Sequence, residues 1–263
     1  MFIRKRLLFL YFAVAALLVV AMMVAGNPAF SKDREIRLEF ADNFISYVID
    51  DENGAVLNLF AVQEVREKNV NLEELVTSVR FANPSIEVVD FKVDAGMVHK
   101  GYKLVNFRVT ARVVGDELER ENKLKIWFGN GKTATYRFGE LAVQNGSGFE
   151  KGHFVPTGSY TAAYPSAGLD VQLKNTSGQE TAGLEIEDLS GEISHEFADG
   201  YKIRPGETGH IKVKGFGETE YDFTMITPIF TYSLAGEEYR YNMPGVLYGV
   251  MLSDQEKINR IIE

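Results

Sequence analysis

The sequence predicts a mainly β protein: an N-terminal transmembrane helix, two antiparallel β-sandwich domains after it, and a short C-terminal helix. Three observations predict this. Apolar and polar residues alternate with period two along most of the chain beyond residue 36, turn chemistry rich in Asn and Gly recurs at short intervals, and one uncharged apolar run lies near the N-terminus. At 45% hydrophobic and 25% charged residues, the 263-residue chain can bury a substantial core. Cysteine is absent, which excludes disulfides, thiolate metal sites, a Cys nucleophile and a lipid-bearing Cys. An exported protein of this kind fits a bacterial surface, Gram-positive in type, better than a eukaryotic secretory route.

Residues 1–6 form a basic tail with Arg4, Lys5 and Arg6, and residues 7–26 carry no charge. That run matches the roughly 30 Å hydrocarbon core at about 1.5 Å per helical residue. It reads as an anchor or, with small residues at Val24-Ala25-Gly26 and Ala29-Phe30-Ser31, as a cleaved export signal. Lys32, Arg34 and Arg37 follow the run, so the basic residues balance, and the free amino terminus tips the orientation towards N-inside. The expected placement is a single-pass membrane protein with an extracytoplasmic C-terminal portion, or a secreted one if the span is cleaved. Net charge is −9 for the whole chain and more negative for the part beyond the span. That charge repels phosphate backbones and anionic headgroups, and nucleic acid is not expected as a partner.

The first domain is expected over residues 36–145. Ile36, Leu38 and Phe40 alternate with Arg37 and Glu39, and Val105, Phe107, Val109, Ala111 and Val113 alternate with Asn106, Arg108, Thr110 and Arg112. Asp51-Glu52-Asn53-Gly54 and Gly129-Asn130-Gly131 each separate two apolar runs as hairpin turns do. Asn71 to Arg80 reads as a crossover helix, capped by Asn71 and Glu74, with Leu72, Leu75, Val76 and Val79 on one face. Gly, Ser and Pro accumulate between Asn145 and Tyr160, where the domain boundary is expected.

The second domain is expected over residues 160–263. Strand signals fall at Leu169/Val171/Leu173, Leu184/Ile186, Ile211/Val213 and Tyr221/Phe223/Met225, with a hairpin from Phe230 to Tyr241 turning at Ala235-Gly236-Glu237. The order LDVQLKNTSGQETAGLEIEDL followed by IRPGETGHIKV resembles the Ig-like β-sandwich modules of bacterial surface and membrane-anchored proteins. The resemblance covers only these turns and strands, and it implies adhesion, spacing or partner binding without a fixed active site. Ser253 and Glu256 form a capping box for a terminal helix with Ile258, Ile261 and Ile262 on one face.

No catalytic, cofactor or metal residue emerges. His99, His153, His195 and His210 are scattered without metal-ligand spacing. Asp50-Asp51-Glu52-Asn53-Gly54 has calcium-type oxygens but lacks the alternating ligand positions of an EF-hand, and a solvated turn explains it as well. Gly131-Lys132-Thr133 lacks the first Gly and the helix of a phosphate loop, while Ser147 and Ser159 lack a nucleophile elbow. Candidate partner-binding residues are Tyr232, Tyr239 and Tyr241, from an aromatic-rich C-terminal stretch that reads either as a recognition stripe or as cross-strand core pairs, and Ile258, Ile261 and Ile262, whose burial is expected, either closing the open end of the second sandwich or docking on a partner. The expected function is a non-enzymatic binding or interaction module, alone at the surface or as a subunit of a membrane complex. Its expected partner is a membrane or envelope protein, or an envelope polymer. The alternatives are an envelope-acting hydrolase and a sensor or regulator working through a membrane partner.

Overall fold

The computed structural model describes residues 36–50, 52–65, 71–158 and 168–263. The expected tail and span at residues 1–26 lie outside the described residues. No helix among the described residues is long and apolar enough to cross a membrane.

The chain from Arg37 to Glu263 forms one compact unit of four sheets. In chain order the strands are β1 (Leu38–Phe40), β2 (Asn43–Ile49), β3 (Ala55–Glu64), β4 (Val76–Phe81), β5 (Ile86–His99), β6 (Tyr102–Val113), β7 (Glu119–Phe128), β8 (Thr133–Asn145) and β9 (Phe154–Thr157). They continue with β10 (Gly168–Asn175), β11 (Thr181–Glu187), β12 (Ser194–Ile203), β13 (Thr208–Lys214), β14 (Phe223–Ile226), β15 (Ile229–Leu234), β16 (Glu237–Asn242) and β17 (Val246–Tyr248). Helix α1 is Leu72–Leu75 and α2 is Asp254–Ile262.

A four-stranded sheet, β1-β3-β6-β5, faces a six-stranded one, β17-β14-β2-β8-β7-β4. Phe40 and Tyr136 meet between them at 5.5 Å, and Phe60 and Phe223 at 4.7 Å. A second pair of sheets, β13-β10-β9 and β12-β11-β15-β16, closes over Phe154, whose ring packs edge-on against Phe230, Tyr232 and Tyr241. The alternating residues of β6 are all in the core: Val105, Phe107, Val109 and Ala111 are fully buried and Val113 nearly so.

The sheets cross the boundary expected at residues 145–160. After building most of the second sandwich, the chain returns as β14 and β17 to complete the six-stranded sheet. Phe44, Ile226 and Val246 on that sheet share one apolar cluster with Phe154, Leu173 and Phe230 of the second sandwich. The six-stranded sheet therefore serves as a wall of both cores, and residues 36–145 and 160–263 do not divide it. Nor is it purely antiparallel, because β2 pairs in parallel with both β8 and β14. Direction is fixed by a hairpin but left open by a long connection.

Other local expectations change for physical reasons. The turn after Ile49 is a corner and not a hairpin, since β2 and β3 belong to different sheets. The crossover helix lasts one turn, with Asn71 capping Glu73 N–H at 3.2 Å, before β-branched Val76, Thr77 and Val79 turn the chain into β4. Register in β11 shifts between Gly183 and Glu185, which leaves Leu184 exposed while Ile186 stays buried. The other two hairpins read from turn chemistry are present, β7 to β8 and β15 to β16; Ala235 and Gly236 take φ of 54° and 90° at the second tip.

Three polar devices fix this arrangement. Buried Asp188 accepts from Ser46 Oγ at 2.7 Å, Ser190 N–H at 2.8 Å, Ile193 N–H at 2.7 Å and Ser190 Oγ, tying the β11–β12 turn to β2. Buried Asn175 donates to the Gln179 and Ile203 carbonyls, both at 2.7 Å, and accepts from Ser177. On the edge strand β5, Ala95 N–H donates to Glu73 at 2.8 Å and Met97 N–H to Asp254 at 3.1 Å, so carboxylates from both helices occupy donors that another chain could pair with.

Candidate interaction surface

The candidate partner-binding residues lie in or against the core: the tyrosines take the core-pair reading, and the isoleucines are buried as expected, against the first sandwich. Tyr232 is fully buried, Tyr241 is 6% exposed and Tyr239 packs partly buried against the same cluster. Tyr232 accepts or donates a 2.7 Å hydrogen bond with His153 Nδ1, and its hydroxyl pKa is pushed well up by burial. Their strand spacing reflects a core ladder, because β15 lies inside its sheet with its inner face against Phe154. Ile258 is fully buried and Ile261 8% exposed, with Ile262 packed partly buried beside them; all three sit on Phe60, Val62, Leu104 and Phe223 of the first sandwich. The helix face is thus covered by its own chain.

Histidines stay apart: His210 meets Asp170 at 2.7 Å, His195 lies edge-on to Phe197, and among the described residues no three metal-ligating side chains converge. Asp50 is engaged by Lys151 at 3.0 Å and by Asn242.

A carboxylate cluster does form where β2, β8 and the β11–β12 turn meet. A cleft of about 290 Å³ there is lined by Phe44, Arg120, Glu140, Leu141 and Ser190. Burial, then the neighbouring Glu140 and Asp188, push the Glu192 carboxyl above its ordinary range. Burial and Glu140 raise Asp42, burial raises Asp222, and burial with Glu140, Glu192 and Asp42 pushes Tyr221 up to about 12.

Raised folded-state pKa values mean that this cluster favours folding fully below the unfolded carboxyl range, near pH 4, and loses that contribution as pH rises through the folded values. Glu140→Gln removes the charge common to the Glu192, Asp42 and Tyr221 shifts. It is expected to raise the melting temperature at neutral pH by about 2 to 4 °C, a gain limited to about 1 kcal/mol by partial exposure, and to leave it unchanged near pH 4. Thermal scans across pH would show it; an equal shift at both ends would remove the cluster as the cause.

The other feature is a basic face that the net charge conceals. In β7 the residues Leu124, Ile126 and Phe128 point into the core, so Lys123, Lys125 and Trp127 point out. In β8 the outward residues are Thr133, Thr135 and Arg137; in β4, Arg80. Register places Lys123 opposite Arg137, Lys125 opposite Thr135, Trp127 opposite Thr133 and Arg80 opposite Lys125. Two like-charge pairs therefore sit directly cross-strand, an arrangement that costs stability. Lys125 Nζ lies 4.9 Å and Arg80 Cζ 5.6 Å from the Trp127 ring centroid. Arg137 adjoins Asp42 and opposes the rise in its pKa. Among the described residues, none of the four cations forms an ion pair.

Fold and surface together define a mainly β protein of packed sheets with a short C-terminal helix. No protein-family model matches the chain, and no curated protein matches it. Among solved structures, dimeric latent PorU from Porphyromonas gingivalis aligns over 81% of this chain at 11% identity and a TM-score of 0.26; this chain spans a fifth of the PorU chain. The tandem Ig repeats of Dlar align over 81% of this chain and 96% of theirs, at 7% identity and a TM-score of 0.25. A protein of unknown function from Porphyromonas gingivalis W83 aligns over 81% and 98%, at 10% identity and a TM-score of 0.21. Superpositions this loose carry no functional argument.

Proposed function

We propose that this chain is a non-enzymatic, membrane-anchored, extracytoplasmic binding module that meets its partner through the basic face around Trp127. The observation that carries the reading is the set Arg80, Lys123, Lys125 and Arg137, held cross-strand against its own repulsion with no ion pair among the described residues. Such a surface gains free energy when an anionic partner neutralises it. The uncharged run at residues 7–26, behind a basic tail, supports anchoring with the sandwiches outside. The seven strands of the second sandwich, four facing three, support an Ig-like module, a scaffold that presents surfaces. The partner is an anionic component of the envelope.

Affinity purification of the tagged full-length protein from membranes, in parallel with a Lys123→Glu/Arg137→Glu variant, tests the reading. Material bound to the native chain should be missing from the variant while both partition with the membrane. Equal recovery would remove the face from the reading, and a chain found in the soluble cytoplasmic fraction would remove the anchor.

A further inference from the structure

We infer that the face formed by Arg80, Lys123, Lys125, Trp127 and Arg137 docks flat on the anionic phospholipid headgroups of a bilayer. The inference rests on the binding reading above and names its partner. The face is the outer surface of three adjacent strands, so its side chains stand on a lattice of about 5 by 7 Å with no groove between them. A planar array of phosphates matches that shape better than a single narrow chain.

Trp127 adds the second ingredient. It is the only tryptophan in the protein, it is half-buried between Lys125 and Arg80, and it stands among the cations on the outward face. An indole places an apolar ring and one N–H at a boundary that is apolar on one side and wet on the other, as the headgroup region is. The hairpin tip beside it carries exposed Lys132.

Charge segregation supplies the orientation. A molecule of net charge −9 is repelled by an anionic surface through most of its area, and this face is where attraction replaces repulsion. Each Lys or Arg held near an anionic leaflet raises partitioning several-fold, so four together give on the order of a thousandfold. Averaged charge excluded anionic headgroups; the fold, by collecting cations from three strands, admits them at one place.

Trp127 reports on its own surroundings. Full-length protein in nanodiscs of phosphatidylcholine, with and without about 30% phosphatidylglycerol, should show blue-shifted emission and at least about twofold weaker quenching by aqueous acrylamide in the anionic discs, an effect lost in about 0.5 M NaCl. Lys123→Glu/Arg137→Glu, which leaves the residues at the indole in place, should abolish the difference while keeping the native circular dichroism. Identical quenching in neutral and anionic discs overturns the inference. If soluble polyphosphate then shields Trp127, the binding reading stands with a soluble polyanion as its partner; if it does not, both fall.

Discussion

Replacing Asp188 by alanine is expected to cost about 3 to 5 kcal/mol of folding stability, a large part of the 5 to 15 kcal/mol typical of a native protein. The carboxylate is fully buried and accepts from Ser46 Oγ, the Ser190 N–H and hydroxyl, and Ile193 N–H. Its removal leaves donors on two segments far apart in sequence without partners, each unmade bond costing about 1 to 3 kcal/mol and the sum being less than additive. Asp188→Asn keeps an acceptor but turns an amide donor against donors, so an intermediate loss is expected. Urea titrations of the two variants would measure it. A loss under about 1 kcal/mol for alanine would mean that the β11–β12 turn and β2 hold together without this carboxylate.

Deleting α2 by truncation after Leu252 is expected to lower the melting temperature by roughly 6 to 15 °C, as a loss of 3 to 4 kcal/mol would in a unit of this size. Ile258 and Ile261 cover Phe60, Val62, Leu104 and Phe223, all nearly inaccessible in the intact chain. Arg260 donates to the Asp222 carbonyl at 3.0 Å and to the Tyr248 hydroxyl at 3.1 Å, and Lys257 lies 4.8 Å from the Phe60 ring centroid. Loss of Asp254 also uncovers Met97 N–H on the edge of β5, so self-association through that edge is expected alongside the lower stability. Ile258→Ala alone should cost about 2 to 4 kcal/mol. An unchanged melting temperature after truncation would show that the helix contributes nothing to closing the first sandwich.

Local chemistry was legible wherever one residue's neighbours in sequence are also its neighbours in space. The alternation of β6, the Gly129-Asn130-Gly131 and Ala235-Gly236 turns, and the Ser253–Glu256 capping box all appear in the fold as read. The same logic overextended α1, because Leu72 and Leu75 share spacing with the strand residues Val76 and Val79. It also placed Tyr232 and Tyr241 at a surface as one of two options, since strand spacing says that residues share a face and not which way the face points. The basic face had a partial signal: Lys123, Lys125 and Trp127 alternate with Leu124, Ile126 and Phe128 within one strand. Arg80 and Arg137 join them only through register.

By itself, then, the sequence determined the β class, the individual strands and turns, and the apolar face of the terminal helix, because periodicity, backbone φ preference and capping act within a few residues. Tertiary structure alone decided that β14 and β17 return to the first half's sheet, that β2 runs parallel to both its neighbours, and that α2 closes the first sandwich and not the second. It also decided that a chain of net charge −9 carries a face of four cations. Those outcomes depend on which distant segments bury each other's apolar surface, a free energy proportional to area removed from water and indifferent to sequence separation.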